Sequence, residues 1–155
     1  MALYPNGVDF STFTTYEPLV VDGRTYYGGP PDLDPSWTPI GGIRTVLEHV
    51  ARRLISPPGS YDDPEYGFDL NSYMNANLLT QDLDALTAAI RDQAEAVEGV
   101  NQASVIAKID PATRTLLVKI TVTLTDQVEG YQMVFVLGPD TIPRIYFPTV
   151  TTSIV

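Results

Sequence analysis

Asp62, Asp63, Glu65 and Asp69 crowd into one stretch, PPGSYDDPEYGFDL (57–70), and carboxylates so close in sequence invite a search for chemistry. Two carboxylates facing across a cleft can cleave a glycosidic bond, one as general acid and the other as nucleophile or base. That division of labour needs one carboxyl held protonated by an apolar shield, for which Tyr61, Tyr66 and Phe68 are the side chains at hand. All four acids belong to one loop, however, and the sequence offers no second carboxylate wall. A calcium loop would need the D-x-[DN]-x-[DN]-G spacing, which is not there. The stretch reads best as a solvated acidic loop.

The other reactive types are sparse. His49 is the single histidine, sits beside Glu48 in a helical pattern, and has no cysteine or second histidine to join it. It cannot anchor a zinc site or a cysteine–histidine pair, and no G-x-S-x-G turn is present for a serine triad. A helix histidine in contact with solvent is the plainer reading. The stretch YGGPP (27–31) has two glycines but neither a lysine nor a helix start, so it makes no phosphate loop. The expectation is therefore a chain without catalytic residues, cofactor or metal, and not an enzyme.

Composition narrows the partners. At 155 residues and 44% hydrophobic content the chain has the makings of one globular domain. A net charge of −10 repels nucleic acid and anionic membrane surfaces alike. The longest wholly apolar run, 133–137, is far too short to span a bilayer, and no apolar stretch with a basic flank follows Met1. These features predict a soluble protein whose partners are proteins.

The elements that must carry these residues follow from periodicity. Residues 1–41 hold Tyr4, Phe10, Phe13, Tyr16, Tyr26, Tyr27 and Trp37 among Gly, Pro and Thr, and read as an extended, ordered, aromatic-rich arm. Within it VVDGRTYY (20–27) suits a small hairpin, because Asp-Gly is a hairpin-turn dipeptide. A helix is predicted over 42–55, with Ile43, Val46, Leu47, Val50, Ala51 and Leu54 inward and Arg44, Glu48, Arg52 and Arg53 on the polar face. Pro57 and Pro58 end it. A second helix is predicted over about 81–98, with Thr80 as N-cap, Leu83, Leu86, Ile90, Ala94 and Val97 as its stripe, and Gly99 just past its end.

The period then changes to two. Strands are expected over 104–109 and 115–124 around the turn Asp110-Pro111-Ala112-Thr113, and over 131–137. In the second strand Leu116, Val118, Ile120, Val122 and Leu124 alternate with Leu117, Lys119, Thr121 and Thr123, giving one core face and one wet face. The fold class is α+β, with two main helices packed on a three- to four-stranded antiparallel sheet. The main domain covers 42–137, and the tail 138–155 is β-prone, with Pro148 suiting an edge or an extended arm.

Charge is distributed unevenly along this plan. Acids dominate 62–98, where Arg91 is the only base, whereas Arg44, Arg52 and Arg53 stand against Glu48 in 42–58. Such asymmetry favours docking between protein surfaces, with Asp62, Asp63, Glu65 and Tyr66 as candidate contacts opposite the arginines. A three-stranded meander also leaves edges that monomers normally protect, and Lys119 is the lone charge inside 115–124 and 131–137. The tail from Arg144 and Tyr146 onward is expected either to supply its own strand or to mark a docking edge.

Taken in order, these features resemble the baseplate wedge family of contractile phage tails, the small proteins also called sheath initiators. The resemblance spans about residues 43–124. It rests on Ile43, Arg44 and Leu47 in the first helix, Pro58-Gly59, Pro64, Tyr66-Gly67 and Leu70 in the loop, and the long amphipathic strand after DPATRTLLVKITVTL (110–124). This chain departs from the pattern in having Ser60 directly after the Pro-Gly break and no base between Arg53 and Arg91. The resemblance implies a structural virion protein, assembled in several copies in the host cytoplasm. Its helix–loop region would contact wedge, hub and tube proteins, and its sheet would accept arms of the tail sheath protein. The alternatives are another tail adaptor, a baseplate subunit of a bacterial injection machine, or a cell-wall hydrolase working through the acidic loop.

Overall fold

The computed structural model describes residues 8–10, 17–29, 39–41, 43–74, 82–125, 127–138 and 143–148. Its centre is the alternating segment. Leu116, Val118, Ile120, Val122 and Leu124 point to one side and are all buried, so the strand Thr115–Leu124 is held by one continuous apolar face. Each such side chain contributes roughly 1.5–3 kcal/mol by leaving water. The turn after Asp110 works as expected, with Asp110 Oδ1 accepting a hydrogen bond from the Ala112 amide at 2.9 Å.

In chain order the strands are β1 (Val8–Phe10), β2 (Glu17–Val21), β3 (Arg24–Gly29), β4 (Pro39–Gly41), β5 (Val100–Asp110), β6 (Thr115–Leu124), β7 (Gly130–Leu137) and β8 (Arg144–Pro148). Two α-helices, α1 (Ile43–Ile55) and α2 (Leu83–Glu95), come between β4 and β5. β1 and β4 form a two-stranded sheet. The other strands build one six-stranded antiparallel sheet in the order β2-β3-β8-β7-β6-β5. The class is α+β, as the periodicity indicates, but the sheet is larger than the three to four strands expected.

The extra strands come from the two ends of the chain. β7 buries Met133, Val134 and Phe135 and so has apolar residues on both faces, which suits a strand paired on both edges. β8 takes its open edge through Val134↔Tyr146 and Val136↔Arg144. The β2–β3 hairpin, turning at Asp22-Gly23 as the dipeptide predicts, then pairs with β8 through Gly28↔Tyr146 and Gly29↔Ile145. Gly28 is required there, because a Cβ would strike the backbone of Ile145. β8 is thus internal and not an edge, and Pro148 is tolerated as its last residue. Tyr4, Phe13, Tyr16 and Trp37 lie outside the described residues, as do 149–155.

α1 and α2 cover one face of β5–β8. Val46, Leu47, Val50, Ala51 and Leu54 from α1 meet Leu86, Ile90 and Ala94 from α2 above the β6 row, and Phe135, Ile145 and Phe147 complete that core. α2 is shorter than expected at both ends. Thr80 lies outside the described residues, and Gly99 at φ 95° turns the chain into β5.

The opposite face is not simply wet. The hairpin folds across it, so Tyr26, Val134 and Tyr146 form a second buried cluster with Leu19, Val21, Leu117 and Val136 around it. Hydrogen bonds fix the hairpin at both ends. Gln132 Oε1 accepts from Tyr26 Oη at 2.7 Å and from Arg24 Nη1 at 3.0 Å. Arg144 Nη1 donates to both oxygens of Glu17 at 2.6 Å, and Tyr146 Oη donates to Glu17 Oε2 at 3.2 Å.

Candidate functional site

The residues singled out by type and spacing fall into three separate places. The first joins the end of α1 to the acidic loop. Pro57 stops the helix, and the loop then closes on itself through its backbone. The Gly59 amide donates to Tyr66 O at 2.8 Å, and the Phe68 and Asp69 amides both donate to Ser56 O at 2.8 and 2.9 Å. Gly67 lies at φ 105°, and a Cβ there would overlap the carbonyl group of Pro57. Gly59 is also left-handed, at φ 82°, but faces open space. Phe68 stacks on Tyr73 at 5.0 Å, which anchors the exit of the loop.

Arg53 ties this loop down. Its guanidinium donates to Gln93 of α2 at 2.7 Å and to the Glu65 carbonyl at 2.9 Å, and lies 5.0 Å from the Tyr66 ring centroid. Arg53, Glu65 and Tyr66 are therefore brought together, but as one subunit's internal brace. Asp62, Asp63 and Glu65 remain exposed, and the Asp63 carboxylate is engaged in capping the Glu65 amide at 3.0 Å. None of these acids lines the apolar cleft described below. No grouping of His, Asp and Glu suited to a metal ion occurs among the described residues.

The second place corrects the polar face of α1. Arg44 and Glu48 are buried, at 5% and 0% exposure, and form an ion pair of 2.7 Å within the protein. The Arg44 guanidinium lies 3.7 Å over the ring of Phe147 in β8. Helical periodicity put this pair in solvent because it took no account of β8, which arrives from the far end of the chain. Arg52 and His49 are half-buried on the same helix. The three arginines thus do not act as one patch.

The third place was visible only in part. Lys119 projects from β6 on the face away from the helices and reaches Asp22 at the hairpin tip, 3.7 Å away. Between that tip and the β5–β6 ribbon lies a cleft of about 430 Å³ lined by Val21, Asp22, Ile106, Lys108, Leu117 and Lys119. Ile106 is an apolar side chain left 54% exposed on its wall. Lys108 and Lys119, the only lysines of the chain, meet here because Lys108 pairs with Leu117 and Ile106 pairs with Lys119. Sequence alone carried that signal. A four-residue turn at 111–114 sets the register, and counting outward by twos puts both lysines and Ile106 on one face. Glu17, Gln132 and Asp22 carried no such signal, since their partners lie across the sheet from distant segments.

β5 is one of the two edges of the sheet, and it is half covered. Glu95 at the end of α2 reaches round to accept the Ala103 amide at 2.9 Å. The ladder with β6 runs without a shift from Gln102 to Asp110, so residues of the same parity as Ala103 also direct their amides and carbonyls outward. Val105, Ala107 and Ile109 therefore present main chain at an edge no strand of this sheet occupies. Arg144 and Tyr146 lie in a strand that the tail supplies to the chain's own sheet, one of the two alternatives the sequence left open, and they hold the hairpin through Glu17. Burial of the Tyr146 phenol, and then the neighbouring Glu17 carboxylate, raises its pKa above the usual tyrosine value.

No helix among the described residues is long and apolar enough to cross a membrane. No model of a known protein family matches the sequence, and no curated protein matches it either.

Proposed function

We propose that this chain is a structural protein of a contractile tail baseplate, built into the virion in several copies, which docks wedge, hub and tube proteins and templates the first sheath ring by strand addition. One observation carries the reading. A loop rich in carboxylates is folded shut by its own backbone and by Arg53, while the β-strand edge at 105–109 has no strand partner among the described residues. The first arrangement gives a fixed shape and no catalytic pair, and the second gives a means of accepting an extended arm. The order of helix, Pro-Gly loop, helix and meander, on which the resemblance to sheath initiators rests, supports the same reading. The chain acts by docking and performs no catalysis.

Removal of the gene from its phage should leave tails without an ordered sheath, and supplying the chain in trans should restore it. Normal contractile particles assembled without the chain would exclude the role. The hydrolase alternative has its own test. Purified protein should leave peptidoglycan intact, and Asp62→Asn and Glu65→Gln should have no turnover to abolish.

A further inference from the structure

We propose that the open half of the β5 edge, with the cleft beside it, takes an extended apolar segment of another chain that carries an acidic residue opposite Lys108. This inference rests on the strand-accepting reading above and specifies which edge serves and what the partner must look like.

Three features of the site argue for it. The outward amides and carbonyls of Val105, Ala107 and Ile109 can form a ladder with an added strand, whereas Ala103 is already capped by Glu95, so register is limited to the 105–109 half. Side chains of an added strand on the cleft side would lie beside Ile106 and Lys108. Ile106, Leu117 and Val21 favour an apolar group at one of these two positions, since covering Ile106 removes apolar surface from water. Lys108 favours an acid at the other.

Charge selects the partner. The chain as a whole carries −10, yet both of its lysines stand at this cleft. Lys119 is satisfied by Asp22, and the Asp110 carboxylate is turned into its own loop, bonded to the Ala112 amide. Lys108 is exposed and has no such ion pair among the described residues. An incoming carboxylate would meet it two residues from the apolar contact. A second copy of this chain is a poorer occupant, because pairing two β5 edges would join two bodies of like net charge.

The test uses the full chain and a short end-blocked peptide of threonine and branched apolar residues carrying one glutamate, with a lysine-for-glutamate counterpart. Hydrogen exchange at Val105, Ala107 and Ile109 should slow at least ~10-fold with the glutamate peptide, and the lysine peptide should bind at least ~10-fold more weakly. Lys108→Glu should reverse that preference. Ala107→Pro removes an outward amide without touching the β6 ladder, so the variant should fold normally and lose binding. Protection at residues 17–21 instead, equal binding of both peptides, or no binding would overturn the proposal. Protection that depends on protein concentration without peptide would assign the edge to a second copy and overturn it too. A chain that binds the peptide but is dispensable in tails sinks only the baseplate role, and one needed in tails but indifferent to peptide sinks only this proposal.

Discussion

Gly67 and Gly59 share a left-handed backbone but differ in what surrounds them, and that difference can be measured. Valine at 67 would both force an unfavourable φ and press on the Pro57 carbonyl, so Gly67→Val should cost about 3 kcal/mol. Gly59→Ala meets open space and should cost only about 1 kcal/mol, the backbone penalty alone. Urea denaturation of the two variants separates them, and equal costs would mean the loop is not packed against Pro57. Arg44 and Glu48 pose a second question of the same scale. Removing the carboxylate takes the opposite charge away from a buried guanidinium, so Glu48→Ala should destabilise by about 3 kcal/mol. Replacing both with Arg44→Met and Glu48→Leu should recover most of that loss, because two apolar side chains need no compensation. A double variant no more stable than Glu48→Ala would show that the pair's value lies in specific hydrogen bonds and not in avoided desolvation.

Among the elements, the β2–β3 hairpin depends most on contacts to distant parts of the chain. Its grip on β8 includes the Tyr146 hydroxyl, whose pKa is raised by burial and by Glu17. A group whose pKa is higher in the folded state contributes stability that is whole below its unfolded value and is lost as pH rises through the folded one. Stability should therefore hold through neutral pH and fall above about pH 10, the ordinary tyrosine range. Tyr146→Phe should flatten part of that alkaline decline in thermal melts followed from pH 8 to 11. A decline of unchanged steepness would assign the effect to other tyrosines. The elements also differ in how legible they were. α1, β6 and β7 could be read almost to the residue, because period and punctuation agree locally in them. The hairpin turn was legible from Asp22-Gly23, but not its destination, since pairing with β8 is decided by Gly28 against Ile145 across the length of the chain. The buried Arg44–Glu48 pair was misread for the same reason, and the lysine cleft was readable in register but not in depth.

For the whole molecule, the position of β8 decides what can be removed. It stands between β3 and β7, supplies Ile145 and Phe147 to one core and Tyr146 to the other, and stacks Phe147 under Arg44. Deleting 144–155 should abolish cooperative unfolding and leave an aggregation-prone chain, contrary to what a detachable tail would do. Circular dichroism melts and sedimentation report this directly, and a folded monomer after the deletion would contradict the sheet order. The same strand bears on how the protein is made. Arg144 meets Glu17 across 127 positions of sequence, so the contact that joins the hairpin to the rest must wait until nearly all the intervening chain exists. Chains dominated by such distant pairings fold slowly, and on the ribosome the nascent N-terminal hairpin has no sheet to join until residues 144–148 emerge. During synthesis both apolar clusters lack a wall, the interval in which a chaperone would find most to hold.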